Sequence, residues 1–255
     1  MRYRSVRAVF LAYTISMKRF LLLAAAAVAF AQQPNTPDNY YAPEDDTRVG
    51  QRFATQLQAN VNATTEPRLD QIGNRLAAHS PQFRYRFFVF DGGQPSLDTA
   101  PAAAFPADWR RLQLDEAIAV AGGMIFVPRP LLSRDDAQLS AILAHAMGHI
   151  ALRHPTVGMT QGELAQVEVQ VASRALPDEA PGRVHAVALK RFAFDRACET
   201  AADGYAAKLL QDSGLDPATL LVYLRTLSQG KEWPVYPAPV ERIEAAQKAI
   251  AGLGR

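Results

Sequence analysis

The fold of this chain is decided by residues 143–154, which read Leu-Ala-His-Ala-Met-Gly-His-Ile-Ala-Leu-Arg-His. The apolar residues predict a largely buried helix, with Ser133 as an N-cap candidate and Asp136 three residues on. On this helix His145 and His149 are four residues apart, so both imidazoles lie on one face and can reach one zinc ion. The alternative is a pair of core histidines without a metal.

Position 146 distinguishes this stretch from the usual metallopeptidase motif. In zinc peptidases with the pattern His-Glu-x-x-His, the Glu is the general base that takes a proton from metal-activated water. Here the residue is Ala146. Gly148 is a further unusual feature, because glycine inside a helix costs about 1 kcal/mol relative to alanine. We therefore expect another element to pack closely at Gly148.

A second pair of candidates lies on a long helix predicted over residues 184–211. Glu199 and Asp203 are also four residues apart, and the small residues around them leave little room for free carboxylates. Glu199 can complete a site of two histidines and one carboxylate, which leaves the fourth zinc position for water. Asp203 can accept the ring N–H of a ligand histidine. The alternative is two solvated acids.

The remaining pattern predicts an α+β domain in which helices surround a small sheet. Two short strands are expected to form a hairpin through Gly122 and Gly123. Further predicted elements are helices over 49–61, 67–78, 160–175, 217–228 and 240–253, strands over 85–90, 117–120 and 124–127, and a surface loop over 94–111.

The N-terminal region predicts export. Residues 1–31 carry five positive charges and no acid, and an apolar run of about 12 residues ends in Ala-Phe-Ala. This is the pattern of a signal peptide over 17–31, and the run is too short to be favoured as a transmembrane helix. Residues 1–16 are an over-extended start or a long n-region, 32–48 are expected to be a linker, and 49–255 form the domain. We expect a periplasmic or extracellular location.

Composition limits the function classes. The chain has 255 residues, of which 49% are apolar and 20% charged, so disorder is excluded as its main state. The single Cys excludes a disulfide within the chain. Without residues 1–31, Lys and Arg fall from 27 to 22 while 25 acids remain, so the formal charge changes from +2 to −3. This balance does not favour nucleic-acid binding.

The order of these elements resembles metallopeptidase family forty-eight, the HtpX-like and CAAX prenyl-protease group, and especially its compact periplasmic members. That family has a Gly-Gly turn before a strand, a His-Glu-x-Gly-His helix followed by Arg-His, a Glu-x-x-Ala-Asp helix, and a late His-Pro-x-x-x-x-Arg element. The matching parts of this chain, within roughly residues 49–250, are 121–127, 145–149, 153–154, 199–203 and 236–243.

The resemblance implies a mostly helical, zincin-like fold with a zinc ion. It implies that the zinc ligands are His145, His149 and Glu199. It also implies that Asp203 and Arg242 support these ligands. It also implies that an edge strand near 117–121 binds a substrate peptide as an added strand.

Three positions depart from the family pattern. Ala146 replaces the general base, Glu116 replaces an Asn, and Tyr236 replaces a His that steadies the reacting oxyanion. A phenol can still donate a hydrogen bond to an oxyanion, although Tyr236 can equally be a rim aromatic beside prolines. Glu116, Glu163 and Glu168 are candidate substitute bases, but their spacing favours none of them.

These features favour a protein that keeps its fold and zinc site and hydrolyses little or nothing. Such a protein would bind exported or misfolded polypeptides in its groove, with peripheral association with membrane proteins as a further expectation. One alternative is an active zinc endopeptidase of periplasmic protein quality control that uses a non-standard base. Another is a metal-free structural domain.

Overall fold

The computed structural model describes residues 39–61, 63–91, 116–161, 163, 180–227 and 239–253. Its helices are α1 (Asp45–Val61), α2 (Pro67–Ala77), α3 (Asp136–Ala151), α4 (Ala180–Asp212), α5 (Ala218–Thr226) and α6 (Pro239–Leu253). Its strands are β1 (Arg86–Phe90), β2 (Ile118–Val120) and β3 (Met124–Pro128). Residues 154–161 are also helical. The predicted α+β class, mostly helical with a small sheet, is confirmed.

The sheet has the order β1-β3-β2, with β1 parallel and β2 antiparallel to the central β3. All five residues of β3 are buried. The predicted hairpin between β2 and β3 is confirmed, and its turn contains Gly122 and Gly123 with φ of 74° and 97°. Glycine adopts these left-handed values without a steric penalty. β2 lies at one edge of the sheet.

Helix α3 is the centre of the hydrophobic core. Its residues Leu139, Ile142, Leu143 and Met147 are at most 1% exposed. They pack with apolar residues of the sheet, α2, α4 and α5. Full burial of each such side chain contributes about 1.5–3 kcal/mol, so this packing stabilises α3, the helix that carries both histidines.

The N-terminus of α3 differs from the prediction, because Asp135 is the N-cap and Ser133 is not. The Asp135 carboxylate accepts a hydrogen bond from the backbone N–H of Gln138 at 2.8 Å. Ser133 ends a 3-10 helix that spans Arg129–Ser133, and its hydroxyl donates to the Pro130 carbonyl. Because the Ser133 hydroxyl bonds within the 3-10 helix, the N-cap of α3 is Asp135, two residues later.

Other predicted elements agree closely with the structure. The predictions over 67–78, 85–90, 217–228 and 240–253 correspond to α2, β1, α5 and α6. Helix α4 ends where predicted, at a turn in which Gly214 has φ of 67°. Helix α1 begins at Asp45 rather than residue 49, with Asp45 and Asp46 in its first turn, where acids complement the helix dipole.

Several predictions lie outside the described residues. They concern the signal peptide, the loop over 94–111, most of the helix over 160–175, Glu168 and Tyr236. In the part of the chain that the structure describes, no helix is both long enough and apolar enough to span a membrane.

Candidate metal centre

The two histidines of α3 face one another, as their spacing predicts. Their ring centroids are 4.7 Å apart, and the two Nε2 atoms are separated by 3.1 Å. The side chains of His145 and His149 are 7% and 16% exposed. Because two nearby imidazole nitrogens need a shared proton or a shared cation, this arrangement is suited to metal binding.

Helix α4 packs directly against this part of α3, as Gly148 predicted. A Cβ atom at Gly148 would lie 2.8 Å from the Ala202 carbonyl oxygen and 3.2 Å from the Ala202 Cα. Only glycine permits this approach of the two backbones. The approach brings Glu199, one turn before Ala202, beside the two histidines.

Glu199 completes a cluster of three potential ligands. Its Oε2 lies 3.3 Å from Nε2 of His145, and its Oε1 lies 3.5 Å from Nε2 of His149. Within the described residues, these three side chains form the group that could hold a metal, with ligand atoms within 4.8 Å of one another. Zinc bonds of 2.0–2.1 Å in a tetrahedron place neighbouring ligand atoms about 3.3 Å apart. The observed separations fit such an ion.

The electrostatics of Glu199 also fit a cation. Its Oε2 is buried and has no well-aligned hydrogen-bond donor among the described residues. Although burial favours the neutral acid, His149 and the Arg242 guanidinium hold the pKa of Glu199 well below its usual range. The side chain therefore presents a buried anionic oxygen to the two imidazoles.

Asp203 and Arg242 also lie beside His145, with Asp203 next to Nδ1 and Nη2 of Arg242 3.5 Å from Nε2. Oδ1 of Asp203 is 2.9 Å from Nδ1 of His145, which is an ion-pair distance, although the ring N–H is not well aligned for a hydrogen bond. Arg242 donates two hydrogen bonds to Asp203, from Nε at 2.8 Å and from Nη2 at 2.9 Å. Burial opposes protonation of His145, but Asp203 and then Glu199 raise the pKa of His145 to about 9.

Arg242 links the cluster to the edge of the sheet. It is 2% exposed, and its Nη1 lies 3.2 Å from Glu199 and 3.3 Å from Oε1 of Glu116. Glu116 stands two residues before β2. The guanidinium thus contacts three carboxylates, and the start of the edge strand is next to the candidate metal site.

Ala146 is 1% exposed and belongs to the main hydrophobic core. Its methyl group carries no atom that can accept a proton. Tyr236, a candidate oxyanion donor or rim aromatic, lies outside the described residues. Glu163, one of the candidate substitute bases, accepts a hydrogen bond of 2.9 Å from the hydroxyl of Tyr41.

Sequence reasoning missed two neighbours of the cluster. Tyr223 of α5 is 2% exposed, its ring centroid is 6.4 Å from that of His145, and its hydroxyl has no hydrogen-bond partner among the described residues. His154 follows His149 by five residues, a spacing that on a continuous helix places it off the ligand face, yet its Nδ1 lies 3.1 Å from Nδ1 of His149. Tyr223 gave no sequence signal, since it occupies an apolar position of a predicted helix.

The fold and this cluster define a protein of the metallopeptidase type, in which two histidines of one helix and a glutamate of a second helix can share a metal ion. The model of Peptidase family M48 matches residues 63–250, and the chain belongs to this family. It is similar to the metalloprotease LoiP of Escherichia coli K12, with 30% identity over 155 residues. That alignment covers 54% of this chain and 60% of LoiP.

Proposed function

We propose that this chain is an exported zinc metallopeptidase-family protein that binds polypeptides but hydrolyses them weakly or not at all. The carrying observation is a cluster of three ligand atoms with zinc-like separations beside Ala146, which has no proton-accepting group. We place it, as part of the proposal, among the compact HtpX-like members of the family.

His145, His149 and Glu199 would hold the zinc ion in this proposal. Bound zinc supplies Lewis-acid polarisation of a peptide carbonyl and acidifies water. Asp203 is close enough to His145 to orient its ring, and Arg242 holds Asp203 through two hydrogen bonds. These contacts support metal binding without any contribution from residue 146.

Peptide hydrolysis needs a group that takes a proton from water and passes it to the leaving amine. Ala146 cannot do this, and loss of a positioned acid–base group typically lowers the rate by about 10²–10⁴-fold. The proposed weakness of hydrolysis follows from this single position.

Polypeptide binding is proposed at β2, which is an edge strand of the sheet formed by the described residues. An extended peptide can add to a sheet edge through backbone hydrogen bonds. Glu116, just before β2, contacts Arg242, which in turn contacts Glu199. A peptide paired with β2 would therefore run close to the metal site. We propose that the bound peptides are segments of exported or misfolded polypeptides. We also propose that the protein associates peripherally with membrane proteins.

The decisive experiment restores the missing carboxylate. We expect Ala146→Glu to cleave casein at least 100-fold faster than the wild-type chain, with similar zinc content. Ala146→Gln is the matched control, because it has nearly the same volume and no basic carboxylate. Wild-type turnover within tenfold of Ala146→Glu would overturn the proposal, as would equal gains in the Glu and Gln variants. Absence of zinc uptake by all three chains would refute the metal site itself.

A second candidate is an active endopeptidase that uses Glu116 as base. The observation favouring it is the position of the Glu116 carboxylate, which shares the Arg242 guanidinium with Glu199. Glu116→Gln tests this alternative in the wild-type background. Substantial wild-type cleavage that disappears in Glu116→Gln, with zinc retained, would favour Glu116 as the base.

Export is a separate part of the proposal and rests on residues 1–31. N-terminal sequencing of the protein from the periplasm or medium is expected to begin at Gln32. A mature chain that retains residues 20–30 would contradict cleavage.

A further inference from the structure

We propose that His154 is a positioning residue for the metal centre, because its Nδ1 accepts the Nδ1–H of His149. The two Nδ1 atoms are 3.1 Å apart, and the ring centroids are 5.0 Å apart at an interplanar angle of 77°. This inference rests on the proposed metal site. It assigns a role to a residue that the sequence pattern places away from the ligands.

The direction of this hydrogen bond follows from counting protons. Two Nδ1 atoms at 3.1 Å share one hydrogen, so one of them is protonated and the other accepts. A histidine that binds metal through Nε2 carries its proton on Nδ1. His149 is therefore the donor, and His154 is neutral with its proton on Nε2. The bond fixes both the tautomer and the ring orientation of His149.

The two proposed ligand histidines thus have different partners behind them. Nδ1 of His145 faces the carboxylate of Asp203, whereas Nδ1 of His149 faces a neutral imidazole. Groups that hold a ligand histidine in place usually influence metal affinity strongly. Since carboxylates already surround this cluster, a neutral acceptor at His154 supports His149 without adding a further negative charge.

The backbone before His154 is built to place it there. Arg153 has φ of 58°, a left-handed value that non-glycine residues seldom adopt. Its guanidinium donates to both carboxylate oxygens of Asp46, at 2.7 and 2.9 Å, and to the Tyr41 carbonyl at 2.7 Å. In a continuous helix, residue 154 would lie about 140° around the axis from His149. The turn at Arg153 returns it to His149.

Zinc affinity tests the inference without any activity assay. His154→Leu removes the acceptor, whereas His154→Asn places an amide oxygen near the position of Nδ1. With Zn²⁺ titrated against a chromophoric chelator, we expect His154→Leu to bind about 10–100-fold more weakly than the wild-type full chain. His154→Asn is expected to recover most of the affinity, and His79→Leu, a change at an exposed histidine, serves as control.

Two outcomes would overturn the proposal. One is zinc affinity of His154→Leu within threefold of the wild type. The other is equal weakening in the Leu and Asn variants, which would indicate packing rather than hydrogen bonding. Long-range ¹H–¹⁵N NMR gives an independent result, because His149 should be the Nδ1–H tautomer in the zinc-loaded wild type and lose this preference in His154→Leu. A wild-type chain that takes up no zinc would refute the proposed function instead, which separates the two failures.

Discussion

The close approach of α3 and α4 leads to a prediction about two glycines. At Gly148 a new Cβ would lie 2.8 Å from the Ala202 carbonyl oxygen and 3.3 Å from the Tyr205 Cβ. At Gly204, on α4, a new Cβ would have no atom of the described residues within 4 Å. Both sites are helical, so Ala should gain up to about 1 kcal/mol in helix propensity at each. Only Gly148→Ala must also force two backbones apart.

The expected effects therefore have opposite signs. Normal contact at Gly148 requires the helices to separate by roughly half an ångström. Such overpacking costs about 1–3 kcal/mol, so Gly148→Ala should be destabilised by up to about 2 kcal/mol after the propensity gain is subtracted. Gly204→Ala should be stabilised by up to about 1 kcal/mol. Urea unfolding of both variants in the presence of a chelator measures these differences.

Zinc affinity should also change when α4 is displaced from α3. A shift of α4 moves Glu199 away from His145 and His149, and metal sites tolerate only about 0.2 Å of error in ligand distance. We expect Gly148→Ala to lose roughly tenfold or more in zinc affinity, and Gly204→Ala to keep it. If Gly148→Ala is as stable as Gly204→Ala and binds zinc like the wild type, the close approach does not determine the site geometry.

Three further predictions concern the ligand set, the N-terminal ion pair and a buried phenol. Glu199→Gln should lower zinc affinity by about 100-fold or more in chelator competition, because the amide has no charge; unchanged affinity would exclude Glu199 as a ligand. Asp46→Asn should lower the free energy of unfolding by about 1–3 kcal/mol, because it weakens both hydrogen bonds from Arg153; an unchanged urea midpoint would contradict this. Burial raises the pKa of Tyr85 to about 12, so its contribution to stability is fully present below pH 10 and is lost as the pH rises through 12. The stability difference between the wild type and Tyr85→Phe should therefore shrink over that range, and a constant difference would refute this assignment.

The parts of the site that depend on local spacing could be predicted from the sequence. His145 and His149 share a face because the helix period places every fourth residue together, and the same rule pairs Glu199 with Asp203. Gly148 added tertiary information, because a glycine in a buried helix signals a close neighbour. Periodicity also located α2, α5 and α6 within a few residues.

The parts that depend on tertiary contact could not be predicted from spacing. Arg242 lies 97 residues after His145, and no local rule relates the two residues. The placement of His154 requires Arg153 to adopt a left-handed φ, which is held by Asp46, 107 residues earlier. Helical periodicity alone predicts that the helix continues past Arg153. In such a helix, His154 would not face His149.

The charges around Arg242 separate metal binding from hydrolysis. Glu116, Glu199 and Asp203 are three carboxylates in contact with a single buried guanidinium, which leaves an excess of two negative charges. One divalent cation between His145, His149 and Glu199 neutralises this excess. Asp203 and Glu199 also raise the pKa of His145 to about 9, which shows how strongly these anions favour positive charge at this place. Ala146 carries no charge and takes no part in this balance. These charges therefore favour a bound metal whatever the rate of hydrolysis.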